Sequence, residues 1–240
     1  MKVVSSAFIV GSSGYTGQHL VQTGPKLGCS VVAHVRPRSS KEEAMRTLCA
    51  DNGACLELVP FEKDAFAAAL ERHAPTFVFA CLGTTRRRAA EEAEANYESV
   101  DYGLTKFVMD ACSAMAQPPR FVYLSALGGG RPSTNAYMSV RYRVETELRA
   151  SPLSWTIARP AFISGPDRGE SRPMERFGAA AGDGVLRALG FLGAKRLERK
   201  YASLSGAALA EGMLRAALQD HERGTSTVWE ADTLRAASFG

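Results

Sequence analysis

The apolar run Val3 to Val10 ends directly on Gly11-Ser12-Ser13-Gly14-Tyr15-Thr16-Gly17, and a helical pattern follows from Tyr15 to Leu27. This G-x-x-G-x-x-G between a strand and a helix constrains the fold more than any other feature of the chain. Each glycine has a physical job there. Gly11 permits the tight turn, Gly14 lets backbone amides approach a phosphate, and Gly17 lets the helix lie close on the sheet. The free N–H groups and positive dipole end of the helix favour an anion at the turn. A dinucleotide pyrophosphate held by Gly11, Ser13, Gly14, Tyr15, Thr16 and Gly17 is the expectation.

The pattern of strand then helix continues. Strands are expected at Cys29 to Val35, Cys55 to Val59, Thr76 to Leu82, Arg120 to Ser125, Ser154 to Ala158 and Thr227 to Glu230. Helices are expected at Lys41 to Asn52, Lys63 to His73, Ala89 to Ala116 (with a bend), Tyr137 to Arg149 and Ser205 to Leu218. The run TFVFACL is apolar throughout, as in a strand buried on both faces. Strands spaced by helices give βαβ units, and right-handed crossovers make these an α/β, doubly wound parallel sheet of the Rossmann-like type. No repeat, linker or composition break divides the 240 residues, so a single NAD(P)-binding domain is expected. Residues from about 160 to 200 read as a substrate-side extension, with a polar loop at Gly165 to Pro173 and partial helix at Met174 to Leu192.

Composition narrows the function classes. The net charge of +4 is far below the basic density of a dedicated nucleic-acid binder, yet it suits anionic small molecules. No apolar stretch is long enough to span a bilayer. The five cysteines, Cys29, Cys49, Cys55, Cys81 and Cys112, form no C-x-x-C pair, which argues against a zinc site or disulfide framework. A cytoplasmic location is the expectation, because MKVVSS leads straight into the first strand. At the end of the second strand, where NAD sites place an acid for the ribose 2′-hydroxyl, the chain reads His34-Val35-Arg36-Pro37-Arg38. Two guanidinium groups in place of a carboxylate favour a 2′-phosphate, so NADP(H) is expected over NAD(H).

Taken with Ser125 after the fifth strand, Tyr137 twelve residues on and Arg159-Pro160 after the sixth, the glycine turn resembles that of the short-chain dehydrogenase/reductase superfamily. Three further strings narrow the resemblance to the atypical branch that holds the Tat-interacting tumour-suppressor oxidoreductase and NmrA-like proteins. They are Cys81-Leu82-Gly83-Thr84-Thr85-Arg86, Val59-Pro60-Phe61-Glu62-Lys63 and Glu170-Ser171-Arg172-Pro173. The resemblance implies that Phe61, Cys81, Leu82, Gly83, Arg159 and Pro160 flank the cofactor. It also implies a Ser, Tyr and Lys set, in which the cation favours the tyrosine's phenolate and the serine steadies the substrate oxygen. Here the set is Ser125, Tyr137 and Arg141, with arginine in the lysine position and Ala126 where relatives often carry a second serine. Arginine keeps the charge but not the ammonium geometry. A true Tyr-x-x-x-Lys string, Tyr102 to Lys106, lies in a helix flanking the sheet and is read as a decoy.

The basic runs Arg86-Arg87-Arg88 and Lys195 to Lys200 read as solvated faces, and the four histidines have no metal spacing. The leading expectation is a hydride-transferring oxidoreductase acting on a small carbonyl or alcohol, with Tyr137 as acid/base. The alternative, favoured by Arg141 and Ala126, is a catalytically silent dinucleotide-binding sensor, a regulatory scaffold for a protein partner, or an accessory subunit. No motif specifies the substrate or the oligomeric state.

Overall fold

A computed structural model describes residues 5–84, 96–164 and 203–238. Seven strands form one parallel sheet: β1 (Ser6–Val10), β2 (Ser30–Val35), β3 (Cys55–Leu58), β4 (Phe77–Ala80), β5 (Arg120–Leu124), β6 (Trp155–Arg159) and β9 (Thr227–Glu230). Their order in space is β3-β2-β1-β4-β5-β6-β9. The order reverses between β1 and β4, and at that switch point the chain leaves the two strands in opposite directions, opening a crevice at their carboxyl ends. A second, two-stranded parallel pair joins β7 (Ile163–Ser164) to β8 (Leu204–Ser205).

Helices cover both faces. Side chains alternate along β1: Ala7 and Ile9 face one layer, Phe8 and Val10 the other. The first layer is α1 (Tyr15–Thr23), α2 (Glu42–Asn52), α6 (Gly206–Arg223) and α7 (Ala231–Ser238), packed through Leu20, Met45, Leu209, Met213 and Leu234. The second is α3 (Lys63–His73), α4 (Thr105–Ser113) and α5 (Ala136–Ala150), packed through Phe66, Leu70, Val108, Val144 and Leu148. All five are fully or almost fully buried, and each such side chain contributes about 1.5–3 kcal/mol.

Several boundaries differ from expectation for local reasons. Helix α1 stops at Thr23 rather than Leu27 because Pro25 has no N–H; a 3₁₀ turn, Pro25–Leu27, follows and ends on Gly28 in the left-handed region. The bend expected before β5 is a π-helical segment, Tyr97–Leu104, capped by the Asn96 side chain, which accepts from the Ser99 N–H. It runs into α4. Helix α6 extends five residues past Leu218, to Arg223, and ends on Gly224 in the left-handed region, whose N–H bonds back to the Asp220 and His221 carbonyls. Helix α7 was not expected from any pattern in the sequence. The readings made for Gly165 to Pro173, Met174 to Leu192, Arg86 to Arg88 and Lys195 to Lys200 lie outside the described residues.

Candidate functional site

The glycine turn sits at the carboxyl end of β1, beside β4. Gly11 has φ +83, and a Cβ there would lie 2.6 Å from the Cys81 carbonyl oxygen. A Cβ on Gly17 would overlap the Gly11 carbonyl and come 2.6 Å from the Ser12 Cα. Only glycine fits either position. At Gly14 an added methyl group would meet one close atom, the Gly11 oxygen at 3.2 Å. Gly14 precedes the first turn of α1, whose N–H groups would face an anion held at that point. The cradle therefore suits a pyrophosphate sterically and electrostatically. Thr16 is buried in the first turn of α1, while the Tyr15 hydroxyl donates to the Ser164 carbonyl at 3.2 Å.

Ser12, inside the turn, is fully buried and donates to the His34 carbonyl at 2.6 Å, tying the turn to the end of β2. The His34 ring meets the Val59 carbonyl through Nε2 at 2.9 Å. Burial pushes its pKa down to about 4, against the pull of the Val59 carbonyl and Glu57; Arg36 adds to the fall. Arg36 and Arg38 are exposed just beyond, and Arg38 takes the left-handed conformation with its N–H held by Glu42. Lys41 reaches the Ser13 carbonyl with its ammonium at 3.2 Å, bringing a third cation to this rim. Phe61 packs on His34, Phe66 and Phe107 at 4.9–5.8 Å between ring centroids.

Across the switch point, α5 lies against the end of β5. Tyr137 is half-buried, and the Arg141 guanidinium sits 4.9 Å from its ring centroid. Tyr97, from the π-helical segment, meets the Tyr137 ring nearly edge-on at 5.5 Å. Arg141 is buried and its donors point inward: to Asp101 at 2.7 Å, the Tyr123 hydroxyl at 2.9 Å and the Leu124 carbonyl at 3.1 Å. Burial works to lower the Arg141 pKa, but Tyr123, Tyr137 and Asp101 outweigh it and hold the guanidinium charged. The other oxygen of Asp101 accepts the Thr84 N–H at 2.8 Å. Burial lifts the Asp101 carboxyl above its usual range, and Arg141 and that N–H draw it back. Asp101 accepts from both neighbours, so the geometry is that of an ion pair. Burial raises the Tyr123 hydroxyl to about 12 and the Cys81 thiol to about 12. Leu82 and Gly83 follow Cys81 in the same loop, and a Cβ on Gly83 would lie 3.3 Å from the Arg141 guanidinium.

Ser125 is buried and donates to Glu145 at 2.6 Å. Glu145, fully buried on α5, also accepts two bonds from Arg159, at 2.9 and 2.5 Å, and one from Arg149 at 2.8 Å. Burial works against its ionisation, yet the bonds from Arg159, Ser125 and Arg149 hold its pKa below the usual carboxylate range. Arg159 also pairs with Glu230 at 2.8 Å, and the buried Pro160 accepts the Leu127 N–H through its carbonyl. Tyr102 and Lys106 are occupied elsewhere, by Glu147 and Asp110 respectively.

The structure thus places the sequence-named residues in separate groups: the glycine turn with the end of β2, Tyr137 with Arg141, and Ser125 with Arg159 on Glu145. Sequence reasoning missed Ser12, Lys41, Asp101, Tyr123 and Glu145. One signal pointed at Glu145: Arg141, Glu145 and Arg149 recur every four residues beside the apolar Val140, Val144 and Leu148, which puts a charged row next to the buried face.

Residues 11–188 match a family model described as NAD(P)H-binding. Rat protein HTATIP2 is 34% identical over 176 residues, covering 71% of this chain and 67% of the relative. Protein fmp52-1, mitochondrial, from Aspergillus terreus is 29% identical over 178 residues, 72% of each chain. Among solved structures, the UDP-glucose 4-epimerase of Brucella ovis in complex with NAD superposes with a TM-score of 0.67 at 16% identity, covering 96% of this chain and 80% of the epimerase. BdcA in complex with NADPH superposes at 0.63 with 13% identity, covering 93% and 91%. At such identities the two structures speak for the fold alone.

Proposed function

Because this chain belongs to the NAD(P)H-binding family, in the atypical short-chain dehydrogenase/reductase branch that includes HTATIP2, we propose that it is an NADP(H)-dependent oxidoreductase acting on a small carbonyl or alcohol. The observation that carries this reading is the placement of Tyr137, with Arg141 against its ring, across the strand-order switch from the glycine turn.

The N–H groups of Gly11 to Gly17 and of the first turn of α1 would hold the pyrophosphate. Arg36 and Arg38, with Lys41 beside Ser13, would take a 2′-phosphate in preference to a bare hydroxyl. The loop from Cys81 to Gly83 and the residues Phe61, Arg159 and Pro160 would flank the cofactor, as the resemblance to the branch implies. When bound, the dinucleotide would give the hydride to a carbonyl carbon or accept it from an alcohol carbon. Tyr137 exchanges the accompanying proton between its Oη and the substrate oxygen. Arg141 acts through the ring face, since its two Nη groups are committed to Asp101, Tyr123 and Leu124.

Fluorescence titration with NADPH and NADH, followed by absorbance assays with a panel of aldehydes, ketones and alcohols, tests the proposal. Tighter NADPH binding and turnover that vanishes in Tyr137→Phe are expected. Turnover that survives in Tyr137→Phe, or tighter binding of NADH, would refute it. A second reading, a dinucleotide-binding sensor or scaffold for a protein partner, is favoured by Ser125, whose proton is committed to Glu145 rather than offered to a substrate. It predicts NADPH binding with no turnover on the whole panel. The five free thiols suit a reducing compartment, the cytoplasm in the simplest reading; the fungal relatives' names carry a mitochondrial label.

A further inference from the structure

We propose that Asp101 is a positioning residue for the reaction at Tyr137: its buried carboxylate orients Arg141 against the tyrosine ring and offsets the cation's charge there. The inference rests on the Tyr137 reading above. The π-helical segment Tyr97–Leu104 has a geometry that concentrates at functional sites. That segment turns two side chains four residues apart towards α5. Tyr97 meets the Tyr137 ring, and Asp101 meets Arg141. Asp101 is fully buried and also holds the Thr84 N–H, so one carboxylate ties the loop after β4 to the helix that carries the tyrosine.

The charge arithmetic follows from the contacts. Arg141 on its own helix and Tyr97 on the π-helical segment meet the Tyr137 ring directly, while Asp101 on that segment and Tyr123 on β5 sit behind Arg141, each bonded to its guanidinium. Cys81, at the end of β4, keeps its thiol protonated. Among these described residues, Tyr137 therefore has one cation beside it and one anion behind that cation. A lone cation would favour the phenolate; a cation ion-paired at 2.7 Å favours it much less. Arg141 also lies over the ring rather than in a hydrogen bond to the hydroxyl, so its orientation, which Asp101 fixes, controls how strongly it acts. A lysine at position 141 would have one compact ammonium with which to meet Asp101, Tyr123 and Leu124. The arginine is matched to its aspartate.

The test follows the ionisation of Tyr137 directly, without cofactor or turnover. The absorbance rise near 295 nm is recorded against pH for each protein and for the same protein carrying Tyr137→Phe, and the difference isolates the one phenol. Asp101→Asn, which leaves the cation unbalanced, is expected to move that step about one pH unit lower, a tenfold change in proton affinity. Arg141→Gln, which leaves the anion unbalanced, should move it about as far upward. Tyr123→Phe, which removes a hydrogen bond but no charge, should change the proton affinity less than about twofold.

A step unmoved in folded Asp101→Asn, or moved upward, overturns the proposal. Should Asp101→Asn fail to fold, Arg141→Gln decides, and an unmoved step there overturns it equally. If the steps move as expected while the wild type turns over no substrate, the enzymatic reading fails and the ion-pair proposal stands. If turnover is present and the steps stay put, the proposal fails and the enzymatic reading stands.

Discussion

Mild acid should weaken this protein through the ring of His34. It sits at the end of β2 with 3% of its surface exposed, among Phe8, Phe61 and Phe66, with Nε2 on the Val59 carbonyl. Desolvation moves its pKa from 6.5 down to about 4 in the folded chain. Between those values the unfolded chain binds a proton on this ring and the folded chain does not. The stability it contributes is therefore complete above about pH 6.5, and it is lost as pH falls towards 4 at about 1.4 kcal/mol per pH unit. From about pH 7.5 to about pH 5 the loss is about 2 kcal/mol. Urea unfolding followed by circular dichroism at both pH values measures it, as a drop in midpoint of roughly 1 M. His34→Phe keeps an aromatic ring in an aromatic cluster but has nothing to titrate. It should be less stable at neutral pH by about 1–3 kcal/mol, because the Val59 carbonyl loses its donor. Its further loss on acidification should be smaller than that of the wild type by the same 2 kcal/mol or so. His19, His73 and His221 are common to both proteins and cancel in the comparison. Equal acid slopes in the two proteins would refute the assignment to His34.

Gly17→Ala should abolish NADPH binding and cost about 2–4 kcal/mol in chemical denaturation, because its methyl group would overlap the Gly11 carbonyl; an intact melting curve would count against that packing. Replacing Arg36, Arg38 and Lys41 together with alanine should weaken NADPH at least about tenfold more than NADH by fluorescence titration, since one charge-assisted contact is worth roughly 1.5–3 kcal/mol. Glu145→Ala should cost about 3–5 kcal/mol in urea, as it strands Arg159 beside a void. Because Glu145 has a depressed pKa in the fold, its contribution holds above the ordinary carboxylate range and is lost as pH falls through the folded value; thermal melts of wild type and Glu145→Ala should therefore converge in strong acid.

The fold was legible because its signals are local and repeated. The alternation Ala7-Phe8-Ile9-Val10 feeds both layers of the core, and Gly11, Gly14 and Gly17 mark one turn. The placement of Tyr137 beside Arg141 followed from the four-residue spacing of one helix. What stayed hidden depends on meetings across the chain. Asp101 and Arg141 are forty residues apart, and nothing around Asp101 in the sequence distinguishes it from a surface acid. Ser125 had the right place after β5, but its direction is set by Glu145 on another element. Lys41 lies six residues beyond the end of β2, and only the fold turns its side chain back to the Ser13 carbonyl in the glycine turn. Helix α7 is only eight residues long, and its buried positions Ala231, Leu234 and Ser238, though helically spaced, carry one large apolar side chain, too little for a hydrophobic pattern to show.

The short parallel pair of β7 and β8 has a topological meaning. Ile163 lies beside Leu204 and Ser164 beside Ser205, so the chain departs and returns through neighbouring points about 5 Å apart. The pairing pins the two ends of the intervening stretch to each other, so the length of that stretch is uncoupled from the register of the seven-stranded sheet. Closing such a stretch costs little more as it lengthens, since the entropy grows only with the logarithm of its size. A change in the length of that stretch can therefore be taken up without disturbing the strands that carry the glycine turn. The seam is also within reach of that turn, through the hydrogen bond from the Tyr15 hydroxyl to the Ser164 carbonyl, which ties it to the first turn of α1.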